Sequence, residues 1–208
     1  MKQATHLLKH LCGEYTKLSW LLEFRRHLEA RQRDQDFWNA ARAIAATTQN
    51  GDLAMAVALW LSDNLLGPLR AESIECWAAD GLPAGVRAWL ALYGERVLFS
   101  DATATKYYAL LQKQVASSPS AARSARSIFF PLHVPYRIMQ PVANESMQDR
   151  RLRYSVEARN FFTRLRFHVV EGGRLAIERV RWRRATAKMQ LAGTDEQTSR
   201  PGSPLLQG

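Results

Sequence analysis

Residues able to carry chemistry are few in this 208-residue sequence, and the first of them sit close to its start. His6 and His10 are four positions apart, so a helix places both imidazoles on one face, as metal-binding helices often do. A zinc-protease helix also needs a glutamate beside the first histidine to act as general base, and position 7 is Leu. No third His, Cys or carboxylate is set nearby by spacing, so structural histidines are the better reading and no metal site is expected. Asp34-Gln35-Asp36 has the form of a carboxylate pair that holds two divalent metals for phosphoryl transfer. That chemistry needs the pair on a strand just after a glycine-serine turn. Here Ala30-Arg31-Gln32-Arg33 precedes it and Phe37-Trp38 follows, which reads as a helix cap. There is no P-loop, dinucleotide fingerprint or nucleophile elbow. Cys12 lies two residues from His10, and a helix turns such neighbours to different faces. No catalytic residue is therefore assigned.

A second set of residues lies far down the chain. The net charge is +10, but it is not evenly spread: residues 1–120 hold 13 Lys/Arg and 12 Asp/Glu, whereas 121–188 hold 15 and 5. An argument for an acidic partner therefore belongs to the C-terminal third. There Arg150, Arg151, Arg153, Arg159, Arg164 and Arg166 are interleaved with Tyr154, Phe161, Phe162 and Phe167, and Trp182 follows. Arginines so placed contact phosphates and aromatic rings stack on bases, which makes nucleic acid or an acidic protein the candidate partner of 150–184. The plainer reading is an amphipathic helix with an aromatic core face and a solvated basic face. A membrane-surface helix is weaker, since no large apolar face stands opposite a clean basic one.

The elements that must position these residues read as helices. Residues 5–32 form one long amphipathic pattern, with Leu7, Leu11, Leu18 and Leu22 near helical spacing and Gly13 inside it. A second helix starts at Asp34 or Asp36 and runs to about Thr48. After the turn at Asn50-Gly51-Asp52 a third covers 53–66, apolar nearly all round and so central to the core, and it stops at Gly67-Pro68. Segment 72–79 is less defined. Helices follow over 84–98 and 102–115. The small-residue stretch 116–127 reads as a linker and 128–138, broken by Pro131 and Pro135, as extended chain. Gly172-Gly173 interrupts the basic region, and a last helix over 174–190 is favoured over a hairpin pairing 167–170 with 175–180. The expected fold is mainly α. A helical, bundle-like domain spans 1–115, a basic, partly extended region spans 128–190, and a disordered tail spans 191–208.

Composition is that of a globular chain: 47% hydrophobic and 23% charged residues. No apolar run approaches the roughly 18 residues a membrane span requires. Lys9 and the histidines interrupt any secretory leader. Two cysteines far apart, Cys12 and Cys76, match no redox or metal spacing, and a cytoplasmic protein with reduced thiols is expected.

His6-x-x-x-His10, Leu18-x-Trp20-Leu21 with Glu23, Asp36-Phe37-Trp38 opening the next helix, and Leu65-Leu66-Gly67-Pro68 closing another form a series. Together they resemble the helical part of a family of uncharacterised bacterial nucleotidyltransferases in the polymerase-beta superfamily. The likeness covers roughly residues 5–68 and weakens to about 138, where Phe130-Pro131 looks like the family's distal extended piece. The family more often has Asp where Glu23 stands. The resemblance implies a bacterial protein and a contact role, to substrate or to the catalytic module, for His6, His10, Trp20 and Glu23. In that family a module with a glycine-serine loop and paired aspartates precedes the helices. Its residues are missing here, so the chain is expected to be a truncated or accessory form that does not catalyse alone. Mg2+ and an NTP would enter only with a catalytic module supplied as partner from elsewhere.

Overall fold

The computed structural model describes residues 1–13, 16–69, 77, 82–99, 105–116 and 144–198, with side chains through residue 187. Its elements are α1 (Lys2–Leu11), α2 (Leu18–Glu29), α3 (Gln35–Thr47), α4 (Gly51–Leu66), α5 (Ala84–Trp89), a π-helical turn (Leu90–Gly94), α6 (Glu95–Phe99), α7 (Tyr108–Val115) and α8 (Met147–Thr198). The protein is mainly α, and no strand occurs among the described residues.

The helix α4 is the axis of the core, as its all-round apolar sequence requires. Met55, Val57, Leu59, Leu61 and the alanines between them are buried. Helices α1, α2 and α3 and the π-helical turn pack around it. The alanines on α4 carry little bulk, so neighbouring helices approach closely. Asn50 in left-handed conformation, with φ 56°, leads the chain into α4. Gly67, at φ 92°, leads it out, in a region where a side chain would be strained. Two side chains fasten this exit. Arg25 on α2 donates to the Gly67 carbonyl at 2.6 Å, and Asp63 accepts from the Leu69 amide at 2.8 Å.

The pattern over 5–32 divides into two helices. Helix α1 ends at Leu11, the Gly13 amide donates to the His10 carbonyl at 2.9 Å, and Thr16 Oγ1 donates to the same carbonyl at 3.0 Å. Gly13 is a poor helix former, and the Thr16 hydroxyl satisfies a carbonyl left orphaned at the helix end. The break lets Leu7 and Leu11 on one helix and Leu21, Phe24 and Leu28 on the other enter the same core. Helix α3 begins as expected: Asp34 accepts the Phe37 amide at 2.9 Å as its N-cap. The metal-pair alternative for Asp34 and Asp36 is thereby replaced by a cap.

The C-terminal region departs more from expectation. Helix α8 is continuous, so Gly172-Gly173 does not interrupt it and the hairpin alternative is overturned. Two interior glycines cost a helix about 1 kcal/mol each, a cost a 52-residue helix anchored elsewhere absorbs. The helix also runs on through Thr198, so 191–198 is helical rather than a disordered tail. Its start carries a side-chain cap: the Asp149 amide donates to Ser146 Oγ at 3.1 Å, and Ser146 Oγ donates to the Asp149 carboxylate at 2.6 Å. Leu175 and Trp182 join the same core as α1–α4, so the basic region is packed onto the helical one. The linker beyond Ala116, the extended stretch 128–138 and, except for Trp77, the segment 72–79 lie outside the described residues. No described helix is long and apolar enough to cross a membrane.

Candidate functional site

The break after α1 brings three of the four residues of the first candidate set together. The His6 and His10 rings lie 4.4 Å apart, centre to centre. Trp20, on the first turn of α2, is 4.8 Å from His6 and 4.2 Å from His10. The Lys17 ammonium stands 6.0 Å from the indole. Glu23 is exposed one turn further along α2. His6 is exposed and His10 and Trp20 are half-buried, so the cluster is a surface corner backed by the core. Among the described residues no three His, Cys, Asp or Glu side chains gather as metal ligands do. The corner offers two imidazoles, an indole and an ammonium, a set suited to stacking on a flat or anionic group.

The arginine set divides. Arg153 is buried and bidentate to Glu145, at 2.8 and 3.0 Å, with Glu157 at 3.9 Å and the Tyr154 ring 4.7 Å away. The hydrogen bond to Glu145 holds the Arg153 guanidinium still more firmly protonated and holds the Glu145 carboxyl below its ordinary value. Arg153 is thus an internal fastening and is withdrawn from the contact set. Arg150 reaches Glu145 at 3.7 Å but remains exposed. Arg151, Arg159, Arg164 and Arg166 are exposed and bridge no acid among the described residues.

The acids of this region are all engaged. Between Glu145 and Arg184 there are 11 arginines and five carboxylates. Glu145 and Glu157 hold Arg153, Asp149 accepts from the Ser146 hydroxyl that caps α8, Glu171 pairs with Arg174 at 2.6 Å, and Glu178 accepts from the Tyr93 hydroxyl. The face of α8 turned away from the core shows arginine and apolar side chains instead. Tyr154, Phe161, Phe162, Leu165 and Val169 are between 42% and 65% exposed. The aromatic residues expected to line a core face are therefore largely outside. Only Phe167 is half-buried and Trp182 buried.

One cluster has no counterpart in the sequence reading. The π-helical turn carries Tyr93, whose hydroxyl donates to Glu178 at 3.2 Å and whose ring stacks on Tyr107 at 4.9 Å. Arg96 lies over the far ring at 5.0 Å, and Trp182 is 6.3 Å from Tyr93. Burial, and then the Glu178 carboxylate, push the Tyr93 phenol up from its ordinary value, and burial does the same to Tyr107. These residues fasten α8 to α5–α7. Tyr93 and Glu178 are 85 positions apart, so no local spacing announces them.

No protein-family profile, curated protein or solved structure matches this chain.

Proposed function

We propose that this chain is a non-enzymatic interaction module that takes an anionic partner, nucleic acid or acidic protein, on the outer face of α8. The observation that carries the reading is the division of charge along that helix. From Glu145 to Arg184 its carboxylates are held by groups of the chain itself, while Arg151, Arg159, Arg164 and Arg166 are exposed on a helix that also exposes aromatic rings. Such a surface attracts a polyanion over about a Debye length and loses that attraction in salt. The test is a titration of the full chain against a labelled single-stranded oligonucleotide and against polyglutamate, at about 50 and about 200 mM salt. Binding that weakens steeply with salt is expected, and the four exposed arginines changed to Gln should reduce both the affinity and its salt slope. A chain that binds neither probe at the lower salt sinks the reading.

A second reading is favoured by the corner of His6, His10 and Trp20. It supports a nucleotidyltransferase-family protein, represented by its helical portion, in which that corner meets a catalytic module supplied from elsewhere. The chain alone should then show no magnesium-dependent NTP turnover. Reading the frame upstream of Met1 tests it, an in-frame glycine-serine loop with paired aspartates supporting the family, and measurable nucleotidyl transfer by the chain alone counts against it.

A further inference from the structure

The outer face of α8 is patterned as well as charged. Tyr154, Ala158, Phe161, Leu165 and Val169 are all exposed, at intervals of four, three, four and four. On a helix this places them in one line, the 4-3 seam through which two helices interlock. From Tyr154 to Val169 the seam runs about 22 Å along the axis. Leu165 and Val169 offer no flat face for a base to stack on, so the apolar content exceeds what a nucleic acid would use. Beyond the seam stand Gly172 and Gly173, where an added Cβ would meet nothing within 4 Å. Internal packing therefore does not account for glycine there, whereas a close external neighbour would.

We infer that this seam docks an amphipathic helix of a partner protein whose apolar ridge is flanked by glutamate or aspartate. The inference rests on the anionic-partner reading and narrows it. Exposed Arg150 and Arg164 stand to one side of the seam and Arg159 and Arg166 to the other, and the one carboxylate of the same stretch, Glu157, is half-buried beside Arg153. Acidic flanks on the incoming helix match them. A second copy of this chain would instead set arginine against arginine. Helix-in-groove recognition uses this division, with apolar anchors for affinity and flanking charge for choice of partner.

The test uses the full chain and two labelled synthetic helices with leucine at the seam positions, one flanked by glutamate and one by lysine, beside a single-stranded oligonucleotide. The glutamate peptide is expected to bind and the lysine peptide to bind about tenfold more weakly or worse. Phe161→Ser with Leu165→Ser should cost the glutamate peptide about tenfold with the circular dichroism unchanged, since both side chains face outward. Gly172→Ala should raise the melting temperature, because its Cβ meets open space, and yet weaken the peptide. Binding of the oligonucleotide alone overturns this inference and leaves the anionic-partner reading standing. Binding of no probe overturns both. Peptide binding indifferent to the Phe161 and Leu165 changes overturns the seam, and a dimer of the chain that those changes abolish assigns the seam to a second copy.

Discussion

Cys12 shows how burial decides reactivity at the scale of one residue. Its thiol sits where α1 ends, with its carbonyl accepting from the Gln112 side chain at 2.6 Å. Burial pushes its pKa from 9.0 to about 11. The thiolate is the nucleophile, so at neutral pH Cys12 in a Cys76→Ser background should alkylate on the order of 100-fold more slowly than a free thiol. Timed labelling with iodoacetamide checks this, and a rate near that of free cysteine would contradict it. The same shift has a sign for stability. The folded chain holds the proton more tightly than the unfolded chain. The contribution is thus complete below pH 9.0 and is lost as pH rises through about 11. Tyr93 and Tyr107 are shifted in the same direction from an ordinary value of 10.0, so the loss extends upward. Melting temperatures measured from neutral pH upward should fall beyond about pH 9, and Cys12→Ala should flatten the first part of that fall.

Among the elements, the joint between α3 and α4 has no room for added volume. A Cβ on Gly51 would lie 2.3 Å from the Ala45 carbonyl oxygen and 2.9 Å from its Cα, both backbone atoms. Gly51→Ala should therefore destabilise the fold by about 2 kcal/mol or more, despite alanine's better helix propensity, and a denaturant melt measures it. The glycine was legible as a turn residue, but its role as a contact between two helices was not. The same division holds elsewhere. Asp34, the apolar run of α4 and Gly67 were readable because caps, burial and helix ends leave local marks. The fracture of 5–32 was not, because leucine spacing persists across it and the deciding contact is the Thr16 hydroxyl on the His10 carbonyl. Gly172-Gly173 misled in the opposite sense, as local propensity yielded to a long helix anchored by Leu175 and Trp182. Of the candidate sites, the proximity of His6 to His10 followed from helical spacing, while Trp20 joined them only through the fold. Arg153 looked like its neighbours until Glu145 was seen gripping it.

For the molecule as a whole, the concentration of charge has a thermodynamic consequence. The surplus of arginine over acid in α8 repels itself at low ionic strength. The melting temperature should rise as salt is raised to about 0.15 M, where the Debye length falls to about 8 Å. Replacing Arg159, Arg164 and Arg166 with Gln should remove most of that rise. Calorimetry across the salt series decides, and a melting temperature that falls with salt would show that ion pairs outweigh repulsion. The length of α8 adds a mechanical property. Trp182 is seated in the core, and Met147 lies 35 residues upstream of it, about 52 Å along the axis. A tilt of about 5° at that end would carry the far end through roughly 4–5 Å, so the position of Met147 is set by how firmly Leu175, Trp182 and the Tyr93–Glu178 contact hold the helix.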